Sequence, residues 1–253
     1  MNKYKTSAEL KDSAREILRG KYGSAVLTIF VMFLANSLIV FVPTLIISMI
    51  TLIIEMVVGG VSSLVTFILG QVVSFIALVV VGLLKPGIAL YFLNITCGRK
   101  AATSDLMYGI QWDFQKTLKL SLVFSVIEFF CLLPYGFLES PLLSLVPIER
   151  FLYAQPAQLI GILLSTLITL PLSLVYYLML DFPSYSVAQL LKQSIRLMKC
   201  NNLRMLYLHL SFLPLEFLGV CSLGVGFLWI LPYLNVTKVL FFLNLMKPDS
   251  AAE

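Results

Sequence analysis

The chain has 253 residues, 59% of them hydrophobic and 12% charged, with a mean hydropathy of +0.96. A soluble domain carries about 25% charged residues, so the composition excludes that class and predicts one membrane-embedded domain, 1–253, with no soluble domain beside it. The net charge of +5 is no nucleic-acid signal either, because the cations recur between apolar runs instead of forming one patch; that distribution reports membrane topology.

The pattern predicts an all-α polytopic bundle of six spans, arranged as three hairpins, each preceded by a cytoplasmic amphipathic helix. Residues 1–23 supply the first surface helix. Thr6 and Glu9 make a capping box, Leu10, Ala14, Ile17 and Leu18 form an apolar stripe, and Lys11, Arg15 and Arg19 recur at i+4 on the other side. Gly20 is a plausible stop. This polar start predicts no cleavable signal peptide.

Residues 24–100 read as the first hairpin. Ser24–Ile54 and Met56–Leu84 hold no charge, and Glu55, Gly59 and Gly60 lie between them. Each run exceeds the ~20 residues that a 30 Å hydrocarbon core needs. Pro86 should kink the end of the second, and Arg99 and Lys100 reach the headgroups.

Residues 101–183 form the second unit. Its surface segment places Leu106, Ile110 and Phe114 at i, i+4 and i+8, with Tyr108 and Trp112 suited to an interface. The third span runs from about Leu118 to Phe137. A proline-rich connector, LESPLLSLVPIERFLYAQPAQ, leads to a fourth span from about Leu159 to Leu180.

Residues 184–247 are the third and clearest unit. Val187, Leu190, Leu191, Ile195 and Met198 fall on one helical face, opposite Gln189, Lys192, Gln193, Arg196 and Lys199. Ser186 and Gln189 repeat the capping box. Such a helix suits the headgroup plane, with its cations toward anionic lipid, and it suits equally a helix packed on the protein's own face. Two spans follow between Leu203 and Leu245, with Glu216 near their turn and Trp229 and Tyr233 suited to an interface.

The segments LYFLNI at 90–95, VYYLML at 175–180 and LFFLNL at 240–245 resemble one another, which points to threefold duplication. Lys and Arg fix the orientation. Six lie in the N-terminal segment, five in 85–119, four in 192–204 and two more at Lys238 and Lys247, while only Arg150 falls on the other side. Both termini are then cytoplasmic, and the surface helices lie on the anionic leaflet.

Candidate chemistry is sparse. Glu128 lies nine residues past Lys119, roughly 13 Å along a helix and close to mid-bilayer. Lys85 and Lys238 sit in the inner parts of their spans, and His209, the single histidine, lies five residues past Arg204. These four make a candidate intramembrane polar site, proton- or ion-linked; a hydrogen-bonded interhelical contact with snorkelling lysines is the structural alternative. Lys11, Arg15, Arg19, Lys192, Arg196 and Lys199 are the candidate lipid-facing cations.

No metal site and no cofactor are expected. Cys97, Cys131, Cys200 and Cys221 show no CxxC, and one histidine cannot build a metal centre. The absence of a Walker loop, a nucleophile elbow, an HExxH or paired carboxylates argues against an enzyme. The leading expectation is a non-enzymatic protein that organises or binds lipid or partners at the cytoplasmic leaflet, a membrane-protein partner or a second copy of itself among them. The alternative is a small transporter or permease, peptide export and immunity included, with its site at Glu128.

AREILRGKYGSAVL, GLLKPGIALYFLNITCGRKAATSDLMYGI and the run from Ser194 to Leu245, with Ser194-x-Arg196, Leu210-Ser211-Phe212, Gly224-x-Gly226, Trp229 and Pro232-Tyr233, resemble a bacterial family of integral membrane proteins known as domain of unknown function 975. The resemblance covers most of the chain and departs at 128–170, which is longer and richer in proline. It is similar, more distantly, to the membrane region fused to some glycerophosphodiester phosphodiesterases. It implies a bacterial cell membrane and carries no catalytic residue.

Overall fold

The computed structural model describes residues 5–58, 63–140, 143 and 146–246, and no strand occurs among them. The helices are α1 (Ser7–Leu18), α2 (Tyr22–Val58), α3 (Ser63–Gly82) and α4 (Lys85–Thr96). After a 3₁₀ turn at Thr103–Met107 come α5 (Tyr108–Gln111), α6 (Phe114–Leu138) and α7 (Pro147–Thr169). A second 3₁₀ turn, Leu170–Leu172, precedes α8 (Val175–Asp181), α9 (Val187–Met198), α10 (Asn202–Leu210), α11 (Leu213–Cys221) and α12 (Phe227–Met246). Six stretches among the described residues are long and apolar enough to cross a membrane: Tyr22–Ile54, Ser63–Thr96, Phe114–Leu138, Pro147–Asp181, Asn202–Cys221 and Phe227–Met246.

Several boundaries differ from the sequence reading. Helix α2 continues through Glu55 to Val58, while Gly59 and Gly60 lie outside the described residues, as does Lys247. The proline-rich connector is largely helix. Pro147 starts α7, where its missing N–H costs nothing, and Glu149 accepts the Val146 N–H at 3.3 Å. The surface segment of the second unit is not one long helix. It is a 3₁₀ turn plus one α-turn, with Leu106 buried and Ile110 and Phe114 exposed. Asp105 fixes this tighter path by accepting from the Ala102 N–H at 3.2 Å and from Asn94 at 3.1 Å.

Three of the six spans are interrupted beside a proline, which has no N–H to carry the helical ladder onward. At each break a side chain takes a carbonyl that the ladder leaves free. At Leu83-Leu84, before Pro86, the Leu83 N–H turns to the Val80 carbonyl, and Ser121 Oγ donates to that of Val79 at 2.6 Å. At the Leu170–Leu172 turn, Ser194 Oγ donates to the Pro171 carbonyl at 2.8 Å. At Ser211-Phe212, before Pro214, Lys11 Nζ donates to the Ser211 carbonyl at 2.8 Å. An unpaired carbonyl in hydrocarbon costs several kcal/mol, so these partners are what make the breaks tolerable.

The chain divides into two compact units. Unit 1 comprises Met1–Phe33, Leu84–Phe114 and Leu170–Glu253. The three repeated segments meet in its core, where α4 packs against α8 and α12. Tyr91, Phe92, Tyr176, Tyr177, Phe241 and Phe242 are all buried, and Tyr177 stacks on Phe242 at 5.3 Å. Each surface element then seats on the end of a repeated segment. The 3₁₀ turn Thr103–Met107 seats on α4, α9 on α8, and α1 on α12. The asparagines of the motif make two of these junctions: Asn94 donates to Asp105, and Asn244 Oδ1 accepts the Lys5 N–H at 3.1 Å. Packing in unit 1 therefore closes on itself.

Helices α1 and α9 share one register. Both capping boxes form, Thr6 with Glu9 and Ser186 with Gln189. Leu10, Ala14 and Leu18 are buried in α1, as are Leu190, Ser194 and Met198 in α9. Gly20 has φ +80°, the left-handed conformation that ends α1 and that a side chain would resist.

Unit 2 comprises Leu34–Leu83 and Gln115–Thr169. Small residues let its helices approach. A Cβ on Gly82 would strike Ser121, and one on Gly161 would meet the Cys131 carbonyl at 2.6 Å. Phe75 packs edge-on to Phe129 at 5.4 Å, and Phe67 to Phe137 at 6.0 Å. The outward faces carry exposed large apolar residues such as Leu38, Phe41, Ile53, Leu159 and Leu163. No soluble surface exposes apolar residues in such continuity, whereas lipid tails cover them without cost.

Candidate functional site

The surface cations divide by what they touch. Lys11 is half-buried. Besides capping Ser211 it lies over the Phe212 ring at 4.4 Å, so it is part of the fold and not lipid-facing. Burial first, and the neighbouring Arg15 charge second, hold its amine below the ordinary lysine value. Arg15 is exposed, pairs with Asp12 at 3.3 Å and reaches over the Tyr233 ring at 5.4 Å. Arg19, Lys192, Arg196 and Lys199 are exposed. Tyr233, read as interfacial, is buried against Phe212 with ring centres 5.0 Å apart, while Trp229 is exposed.

The two readings of the apolar stripe on α9 separate here. Leu190 and Met198 are fully buried on the protein itself, Leu191 is half-buried, and Ile195 alone of the stripe is exposed. α9 thus spends its apolar face on unit 1 and turns Lys192, Arg196 and Lys199 outward.

Three of the four intramembrane candidates share unit 1. Lys85, His209 and Lys238 belong to unit 1, all half-buried. Lys238 lies within electrostatic reach of Lys85 and of Glu216, and His209 within reach of Lys238. Glu216 is the acid of that group. The sequence places it near the turn between the last two spans; it lies half-buried in the first turn of α11, behind the break at Ser211-Phe212. The break was the missing signal. His209 Nδ1 donates to the Met205 carbonyl at 2.9 Å, which makes that nitrogen a structural donor and leaves Nε2 unused by this bond. Glu128 stands half-buried on α6 in unit 2.

Unit 2 holds a further polar feature. A cavity of about 340 Å³ is bordered by Thr44, Ser48 and Thr51 of α2, Gln71 of α3, and Glu139 just past α6. The hydroxyls recur at i, i+4 and i+7 in an otherwise apolar run, a signal legible in the sequence and overlooked beside Glu128. A groove of about 570 Å³ between α3 and α6, apolar but for Gln71, shares Phe67 and Gln71 with it. No group of three His, Cys, Asp or Glu able to hold a metal occurs among the described residues.

Interrupted apolar helices, lipid-type outer faces and a few half-buried charges define the class: an all-helical protein of the multi-pass membrane type. The chain belongs to the family described as protein of unknown function, DUF975, whose profile matches residues 1–249, the proline-rich stretch 128–170 included. No curated protein and no solved structure matches it.

Proposed function

We propose that this protein is a non-enzymatic lipid-binding protein of the bacterial cell membrane, which holds anionic headgroups of the cytoplasmic leaflet on the exposed cations of α1 and α9. Both termini then face the cytoplasm. The observation that carries the reading is the division of labour within α9. Leu190, Ser194 and Met198 are buried on unit 1, so Lys192, Arg196 and Lys199 are presented on a fixed scaffold instead of a floating helix. A fixed array loses less entropy when it binds than a mobile one does.

The test is lipid retention. Protein is purified from mixed phosphatidylglycerol and phosphatidylcholine bilayers, and the retained lipid is counted by native mass spectrometry. Each cation near an anionic surface contributes ~1 kcal/mol, so Lys192→Glu, Arg196→Glu and Lys199→Glu together should weaken phosphatidylglycerol retention by about two orders of magnitude. Unchanged retention in a folded triple variant would refute the reading.

One observation favours a second reading, a small transporter or peptide export and immunity protein. Discontinuous spans and half-buried charges are how transporters build midplane sites, and Glu216, Lys85, Lys238 and His209 cluster behind the break in the fifth span. That reading expects Glu216→Gln, more than the α9 cations, to abolish substrate movement in a vesicle uptake or resistance assay. It also keeps Glu128→Gln as a test of the unit 2 acid.

A further inference from the structure

The cavity of unit 2 presents acceptors and almost no donors. Thr44 Oγ1 donates to the Val40 carbonyl at 2.9 Å, Ser48 Oγ to that of Thr44 at 2.9 Å, and Thr51 Oγ1 to that of Ser48 at 3.0 Å. Each hydroxyl proton is committed to its own helix, so the oxygens face the cavity with lone pairs only. The Glu139 carboxylate adds a full negative charge and more acceptors. No Lys, Arg or His borders the cavity among the described residues. The Thr66 and Ser140 hydroxyls are likewise committed to backbone carbonyls, which leaves as donors the Ser74 hydroxyl and the Gln71 amide, whose nitrogen lies over Gly136 where a Cβ would collide with it.

A pocket of this kind repels phosphate and carboxylate and favours a group with several N–H donors and positive charge. A primary ammonium has three donors and no acceptor. The adjoining groove decides what the amine is attached to. It is bordered by Phe67, Phe75, Phe129, Phe130 and Phe137, is apolar but for Gln71, and meets the polar cavity at Phe67 and Gln71. Val72, Val126 and Phe130 on its rim are exposed on the apolar outer face of unit 2, so the groove opens where lipid chains run. The volumes, about 340 and 570 Å³, each lie in the range of small-molecule sites.

We infer that unit 2 binds one membrane amphiphile with a primary-amine headgroup, its ammonium at Glu139 and the Thr44–Ser48–Thr51 row and its chain in the phenylalanine groove. The site involves none of the α1 and α9 cations, so it stands or falls independently of the anionic-headgroup reading.

The test titrates the full-length protein, in a neutral maltoside detergent, with four probes of equal chain length: dodecylamine, dodecyltrimethylammonium, dodecanol and dodecanoic acid. Binding is read by calorimetry and by native mass spectrometry. Dodecylamine should bind one to one. Dodecyltrimethylammonium, which has the charge and none of the donors, should bind more weakly, and dodecanoic acid should not bind. Losing a charge-assisted hydrogen bond should make Glu139→Gln bind dodecylamine ~10-fold more weakly or worse. Thr44→Val with Ser48→Ala, which preserves bulk and removes acceptors, should weaken it without altering circular dichroism, so a misfolded Glu139 variant would still leave the inference testable. Equal binding of dodecanol and dodecylamine, or of dodecylamine to wild type and to folded Glu139→Gln, would overturn the inference and reduce the groove to an ordinary lipid contact.

Discussion

Lys11 shows how one residue changes meaning between sequence and structure. In the sequence it is one of three cations spaced by four on a surface helix. In the fold its ammonium closes the break of the fifth span, bonded to the Ser211 carbonyl and resting on Phe212. Lys11→Met keeps the stem, removes the donor and orphans that carbonyl, so it should destabilise the protein by ~1–3 kcal/mol, read as a lowered thermal midpoint in detergent. Its pH dependence has a definite sign. Burial and then Arg15 lower the folded-state pKa below 10.5, so near the alkaline end of the range the unfolded chain binds more protons than the folded one. Stability contributed by Lys11 therefore rises as pH climbs toward 10.5, and the deficit of Lys11→Met against wild type should widen from pH 7 to pH 10. A deficit that narrows over that range would contradict the assignment.

Among the elements, α9 was the most legible and its partner the least. Its capping box, length and stripe follow from local spacing, because hydrogen bonding at a helix start and the 3.6-residue period are properties of a short segment. What the stripe faces depends on residues elsewhere in the chain, here α8 and the Leu170–Leu172 turn, so the local sequence suits lipid and protein equally. The consequence is that positions on one stripe should behave differently. Leu190→Ala opens a fully buried site and should cost ~2–5 kcal/mol, whereas Ile195→Ala, 50% exposed, should cost under ~1 kcal/mol. Thermal unfolding of the two variants separates a packed helix from a floating one, which would lose little at either position. The breaks were half legible. Pro86 is legible as a kink, but Pro171 and Pro214 announce a break no more than Pro43, Pro134, Pro156 and Pro232, which lie inside continuous helices, and nothing local names Ser121, Ser194 and Lys11 as the partners that complete the ladder. Ser194→Ala removes one such donor with the loss of a single oxygen and should cost ~1–3 kcal/mol by the same unfolding measurement.

For the molecule as a whole, the class followed from composition, because hydrocarbon excludes charge over whole spans, and the family from the resemblance carried by segments such as GLLKPGIALYFLNITCGRKAATSDLMYGI. Glu128 drew attention as the acid nearest mid-bilayer by linear distance. Glu216, half-buried behind the break in the fifth span, is within electrostatic reach of Lys238, and Glu139, just beyond the end of α6, borders the unit 2 cavity. A linear scale measures depth along one helix and is blind to breaks and to neighbours. The lipid-binding proposal and its orientation depend on the cations of α9 lying on the cytoplasmic side.

The native cysteines make that claim directly measurable. Cys200 is exposed immediately after α9, and Leu223, 96% exposed, lies in the turn between α11 and α12. Intact bacterial cells expressing a variant that keeps Cys200 and has Cys97, Cys131 and Cys221 replaced by serine, or Leu223→Cys with all four native cysteines replaced by serine, are treated with a membrane-impermeant maleimide before and after permeabilisation. The account predicts that residue 223 is labelled in intact cells and Cys200 only after permeabilisation. Labelling of Cys200 in intact cells, with residue 223 protected until they are opened, would invert the topology and remove the cytoplasmic lipid surface altogether.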